Sequence, residues 1–214
     1  NQLAYLRQHF DGTVAFDANG RPVGYGDKAT GDSIQNTGEV SNLQRAGNAA
    51  NNDLLTLGAW SSAAVKPGAG SGNPAAALAP AAFFTGQRSS DADMAGLSGR
   101  SATYRFDQAT PVFSSIGAQG AVLPTSHLTA SFGGANTTVG INLDVRFSGP
   151  GAQASTDYAL RGSAGRQTDA GFAGNLAISG GGCTSGARGC EAIASGAFIG
   201  PSAARAGVSF AAST

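Results

Sequence analysis

The sequence is short of the residues that most helical domains and most enzymes rely on. It holds two lysines (Lys28, Lys66) and two glutamates (Glu39, Glu191), the usual surface helix formers, so a helical domain is a poor fit. Arg and Lys together number 13 and Asp and Glu 13, leaving a net charge of zero. No basic excess exists to neutralise phosphates, which argues against a nucleic-acid binder. No apolar run nears the roughly 20 residues of a spanning helix. No signal-peptide pattern opens the chain, so the expectation is that Asn1 begins a mature protein. The two Cys alone are too few for a tetrahedral zinc site, and neither of the two His lies near them in sequence.

What is present favours strands. Gly numbers 33 and Phe 11 in 214 residues, and Asn, Asp, Ser and Thr dominate the polar set. Those polar residues favour turns and local side chain–backbone bonds. The length allows one large domain or two small ones. Thr13–Phe16 and Pro22–Tyr25 read as a hairpin, with Asn19-Gly20 supplying the positive φ of a turn. Residues 26–53 read as a long polar loop or irregular subdomain. A short helix over Glu39–Ala49 is an option there, from the spacing of Val40, Leu43 and Gly47. Leu55–Trp60 reads as a strand continuing to Val65, and Trp60 as core. Lys66–Ala82 is loop-like, and Phe83–Thr85 is a short strand.

Alternation is clearer further on. Leu97–Phe106 puts Ala102, Tyr104 and Phe106 on one face, and His127–Phe132 follows. Val139, Ile141, Leu143, Val145 and Phe147 alternate with Asn142, Asp144 and Arg146, a period of two that excludes a helix. Ser155–Arg161, Gly171–Ser179, Glu191–Phe198 and Ala206–Ala211 complete the set. The spacing predicts an all-β fold, an antiparallel up-and-down eight-stranded barrel at 55–214, with 1–54 as an N-terminal extension. The expected core is Tyr104, Phe106, Leu128, Phe132, Ile141, Leu143, Val145, Phe147, Phe172, Phe198 and Phe210.

Cys183 and Cys190 bracket six residues after Gly180-Gly-Gly182. The gap fits a disulfide across a hairpin loop and is too long for a C-x-x-C redox motif; buried free thiols are the alternative. A disulfide would place the chain in an oxidising, extracytoplasmic compartment.

Catalytic signatures are scarce. His9 and His127 lie in separate elements and read as surface or half-buried side chains. Gly31-Asp-Ser-Ile34 is similar to the nucleophile string of GDS-type hydrolases. That family also needs an Asp three residues before its His, where this chain has Leu6 and Pro124, so a polar turn is the better reading. No G-x-S-x-G elbow is present, and Gly68–Gly72 lacks the Lys-Ser/Thr of a phosphate loop. Asp91, Asp93 and Gly96 partly match a calcium loop, but position 12 is Ala102, so a solvated acidic turn is expected. Asp144 and Asp157 could face each other across strands, although alternation turns Asp144 to solvent. The expectation is no catalytic residue, no cofactor and no metal.

The stretch Gly196-Ala-Phe-Ile-Gly-Pro-Ser-Ala-Ala-Arg-Ala-Gly-Val-Ser-Phe210 resembles the barrel-closing hairpin of the transferrin-binding protein B and factor H binding protein superfamily. Gly196, Phe198, Gly200, Pro201, Ala203, Gly207 and Phe210 match its pattern. Ile199, Arg205 and Ala206 depart from it. The likeness covers about residues 95–214 and extends plausibly over 55–95, with 1–54 as a possible handle subdomain. It implies a non-catalytic module, lipid-anchored or otherwise surface-exposed or periplasmic, taking part in iron or host-factor acquisition. Such a module would bind a protein or haem- or iron-related ligand, with no nucleic acid, no membrane-spanning segment and a monomeric state. The expected binding surface is the loops 26–53, 66–82 and 86–96. Similar barrels are attached to FecR-type iron-signalling sensors, a use that Leu57-Gly-Ala-Trp60 and the low Lys content also resemble. A structural adhesin is a weaker alternative.

Overall fold

The computed structural model describes residues 12–27, 31–69, 75–78, 81–113, 119–148, 155–167, 170–183 and 190–213. Its strands are β1 (Gly12–Phe16), β2 (Pro22–Asp27), β3 (Ser33–Asn36), β4 (Val40–Ala46), β5 (Leu55–Trp60), β6 (Ala63–Lys66), β7 (Ala76–Leu78) and β8 (Ala81–Gly86). Helix α1 (Asp91–Gly96) comes next. Then follow β9 (Ser101–Arg105), β10 (Val112–Phe113), β11 (Gln119–Val122), β12 (His127–Ser131), β13 (Thr138–Phe147), β14 (Thr156–Arg166), β15 (Gly171–Gly180), β16 (Glu191–Ile199) and β17 (Arg205–Ser213). The chain is all-β, as the composition predicts.

Three antiparallel sheets form: β1-β2-β3-β6-β7, β4-β5-β8, and a nine-stranded sheet running from β10 to β17. In the large sheet, β12 pairs with the first half of β13 and β11 with its last three residues. Two short ribbons, β9-β12 and β10-β11, therefore share one edge of β13. The sheet curls into a half-barrel. The expected barrel is met as far as a curled antiparallel sheet: it has nine strands, and among the described residues no ladder joins β9 or β10 to β17. The ribbon β10-β11 is too short to register as a period-two pattern.

The core lies inside this curl. Val139, Ile141, Leu143 and Val145 are all buried, as the alternation requires, and Phe147 is half-buried against them. Leu128, Phe132, Phe172 and Phe198 are buried, while Tyr104 and Phe210 pack partly exposed at the margin. Phe198 is central, with ring centroids 5.2 Å from Phe132, 5.2 Å from Phe172 and 5.7 Å from Tyr104. Phe106 is a correction: it sits past the end of β9, half-buried and outside this cluster.

The small sheet β4-β5-β8 covers the outer face of the half-barrel. Leu55 and Leu57 of β5 pack on Ala197 and Ile199 of β16, with Phe84 of β8 beside them. Gly207 makes room for Phe84, whose Cδ2 would lie 2.6 Å from any added Cβ. All six residues of β5 are buried, which explains why its sequence does not alternate. Trp60 is core as expected: its ring lies 4.8 Å from Phe83 and its Nε1–H donates to the Pro22 carbonyl at 2.9 Å, linking two sheets.

Several N-terminal expectations are corrected. The strand read as Leu55–Val65 breaks at 61–62, and β6 joins a different sheet from β5. The helix considered over Glu39–Ala49 is strand β4 followed by a 3-10 turn, Ala49–Asn51. Within 26–53 the described residues include the strands β3 and β4 and a 3-10 turn rather than one loop. The pairs β3–β6 and β4–β5 link residues on either side of position 54. The β1–β2 hairpin forms as predicted. Gly20 alone takes the positive φ, at 69°, and Asp17 braces the turn by accepting the Asn19 and Arg21 N–H groups at 2.9 and 2.8 Å.

Candidate functional site

Strand β4 carries a bulge between Ser41 and Gln44, with Asn42 in the left-handed region at φ 52°. Asparagine tolerates that conformation better than most residues. The bulge turns Asn42 and Gln44 toward the segment leaving β9. Gln44 Nε2 donates to the Ala109 carbonyl at 3.1 Å, which fixes the two walls of an open cleft of about 400 Å³. Phe106, Thr110, Gln119 and Ser148 complete its functional lining. Among the described residues, none that lines it is charged. Sequence reasoning placed Asn42 and Gln44 within a candidate binding segment but assigned Phe106 to the core. The bulge that creates the site has no one-dimensional signal.

The segment 86–96, expected as a binding loop, contains helix α1 and bonds to the turn of the barrel-closing motif. Asp91-Ala-Asp93 is not a solvated turn but the start of α1, capped by Ser90 and Asp93 in a reciprocal box, with Met94 in the core. The turn after β16 is strained: Gly200, Ser202 and Ala203 have φ of 78°, 52° and 53°. It is held from several sides. Ser89 is buried and its Oγ donates to the Gly200 carbonyl at 2.6 Å, while the Gly200 N–H donates to Gln87 at 2.9 Å. Asp93 Oδ1 accepts the Ser202 N–H at 2.9 Å, and Tyr104 donates its hydroxyl to the Ala203 carbonyl at 2.8 Å. The hydrogen bonds from the Ser90 side chain, the Ser202 N–H and the Ser90 N–H hold the Asp93 carboxyl below its ordinary value. Burial pushes the Tyr104 phenol up to about 12.

The motif residues Gly196, Phe198, Gly200, Pro201, Ala203, Gly207 and Phe210 thus lie together. Gly196 and Phe198 are on the inner face of β16, and a side chain at 196 would strike the Phe172 ring. Gly200, Pro201 and Ala203 form the clamped turn. Phe210 closes the margin of the core. Their roles are packing and turning.

Asp144 and Asp157 do not form a carboxylate pair. Arg146 grips Asp157 with two bonds of 2.7 Å, and this pair lowers the Asp157 carboxyl and raises the guanidinium. Asp144 faces outward as alternation requires and is held by Arg161 and by Thr125 Oγ1, the latter at 2.6 Å. Partial burial pushes the Asp144 carboxyl up. The Thr125 and Arg161 bonds and the charges of Arg161 and His127 outweigh that, and the net shift is downward. Two carboxylates kept ionised by neighbouring cations accept hydrogen bonds well and hold no proton to donate as general acids.

Of Gly31-Asp32-Ser33-Ile34, read as a polar turn, Gly31 and Asp32 precede β3 and Ser33-Ile34 open it. Asp32 is buried and accepts the Gly68 N–H at 2.7 Å, tying the β2–β3 connection to the exit of β6. His127 Nδ1 lies 3.1 Å from the Thr125 carbonyl. His9, Leu6, Lys28, residues 70–74 and 79–80 of the 66–82 segment, and the 184–189 loop lie outside the described residues. Among the described residues no group of three or more His, Cys, Asp or Glu is placed to hold a metal. No helix is long and apolar enough to cross a membrane, again among the described residues.

Cys183 and Cys190 are bonded to each other, with Cα atoms 5.7 Å apart. They sit at the end of the β15–β16 hairpin, Cys183 buried against the core. A bond of this kind belongs to an oxidising compartment. No protein-family model, no curated protein and no solved structure matches this chain.

Proposed function

We propose that this chain is a non-catalytic, extracytoplasmic binding module that holds a protein or iron- or haem-related ligand of the cell envelope or host. The observation that carries the reading is the cleft between β4 and the segment leaving β9. Three of its neutral polar groups, Asn42, Gln44 and Gln119, sit on strands and the cleft includes an aromatic ring, the arrangement of a recognition surface rather than of reacting groups. The disulfide supports the extracytoplasmic placement. The likeness of 196–210 to the transferrin-binding protein B superfamily supports a bacterial envelope setting and closure of the half-barrel into a fuller barrel. Of the three expected binding segments, 26–53 contributes Asn42 and Gln44 to the cleft, while 86–96 packs on the Gly200-Pro201 turn.

The second reading is a sensory domain of the FecR type, favoured by Leu57-Gly-Ala-Trp60 at the heart of β5. One experiment tests the binding reading: the immobilised chain is exposed to purified iron- and haem-carrying proteins. Saturable, reversible capture of a ligand whose intact mass is unchanged supports it. Capture of none, or release of a chemically altered ligand, overturns it.

A further inference from the structure

We propose that the cleft between β4 and β11 takes a neutral saccharide, so that the partner bound by the module is recognised through an uncharged glycan. This rests on the binding reading above and deepens it. Three observations converge. The first is the charge of the lining: with 26 charged side chains formally balanced across the chain, none among the described residues lines this cleft. An anionic or cationic ligand would find no partner there, and a desolvated unpaired charge is costly. The second is the donor set. Asn42, Gln44 and Gln119 offer amides, and Thr110 and Ser148 offer hydroxyls. Gln44 spends one N–H on the Ala109 carbonyl at 3.1 Å, leaving its carbonyl oxygen and second N–H to the cleft. An amide presents a donor and an acceptor side by side, which suits the vicinal hydroxyls of a sugar. The third is Phe106, the one aromatic ring in the lining and half-buried there. A pyranose has one face of C–H bonds that packs on such a ring, while its hydroxyls point to the polar rim. A volume of about 400 Å³ holds one or two sugar rings, within the ordinary range of small-ligand sites. An apolar ligand would cover the amides and hydroxyls of the lining without pairing them, and a peptide strand added to the free edge of β4 would be held by main-chain bonds rather than by these side chains.

The test uses the full chain and a panel of neutral two- to four-unit oligosaccharides of glucose, galactose and N-acetylglucosamine. Binding is followed by calorimetry and by side-chain amide NMR at low and high salt. The expected result is saturable binding of at least one oligosaccharide, with shifts of the Gln44 and Gln119 side-chain amides and no salt dependence. Phe106→Ala and Gln119→Ala should each weaken it by about tenfold, the effect of one lost ring contact or hydrogen bond. Gln119 is exposed, so its variant reads the contact even if Phe106→Ala disturbs the fold. No binding across the panel, binding that survives both substitutions, or binding only of sialylated or sulfated controls that salt abolishes overturns the proposal. Enzymatic removal of glycans from a captured protein ligand separates the two readings. Capture that persists unchanged sinks the saccharide and leaves the module.

Discussion

The two ends of this chain are both antiparallel sheet, yet they are stabilised differently. From β13 to β17 each strand has 9 to 11 residues, with one face in a single core built around Phe172 and Phe198. From β1 to β8 the strands have 3 to 7 residues, and the compact apolar cluster there, Leu55 and Leu57, borrows Ala197 and Ile199 from β16. The half-barrel carries its own core. The N-terminal sheets rely on its outer face and on links that include Gln44 to Ala109 and Arg205 to Asp53, while Trp60 to Pro22 ties those sheets to each other. Burial on both faces of β16 is what lets a short-stranded region fold at all.

The largest test of that contrast is a truncation in each region. Phe198→Ala should cost about 3–5 kcal/mol and Leu143→Ala about 2–5 kcal/mol by urea denaturation. Ile34→Ala, at a half-buried site in β3, should cost about 1 kcal/mol or less. Equal losses would erase the distinction. Removing the disulfide by Cys183→Ser with Cys190→Ser should cost about 2–3 kcal/mol, the entropy of a short closed loop. In the parent, the unreduced, denatured protein should take up no alkylating agent by intact mass.

The clamp between 86–96 and the Gly200 turn joins the two regions, and Ser89→Ala probes it. Leaving the Gly200 carbonyl without its donor should cost about 1–3 kcal/mol. An effect near zero would mean the turn holds itself. Tyr104 gives a pH signature of the same seam. Its phenol is raised by burial to about 12 from an ordinary 10.0, so the fold favours the neutral form. The stability this contributes is complete below pH 10.0 and is lost as pH climbs toward about 12. The melting temperature should fall over that window, and Tyr104→Phe should flatten the fall. The smallest effect on stability is expected at Arg146→Ala, because its pair with Asp157 is exposed and screened by solvent.

The same contrast decides what was legible. The inner face of β13 could be read residue by residue because one face is buried and the other wet, so burial follows a period of two. Strand β5 hid its direction because both faces are covered. Strand β4 resembled a helix because its bulge at Asn42 shifts the register, bringing Val40, Leu43 and Gly47 into apparent helical spacing. Helix α1 was missed for its length: six residues give too little periodicity, although Ser90 and Asp93 do spell a capping box. Of the candidate site, the polar segment holding Asn42 and Gln44 was visible. Phe106 was assigned to the core because its parity matches Tyr104, and the strand ends at Arg105, one residue too early for parity to hold.

The central claim is that the half-barrel is a self-sufficient core on which the N-terminal sheets are mounted. Native-state hydrogen exchange of the whole chain tests it most directly. The account predicts that the slowest amides lie in β13–β16 and exchange only on global unfolding. Those of β1, β2 and β3 should exchange through a separate opening of lower free energy. Equal protection in both regions, or slower exchange in β1–β3, would contradict it.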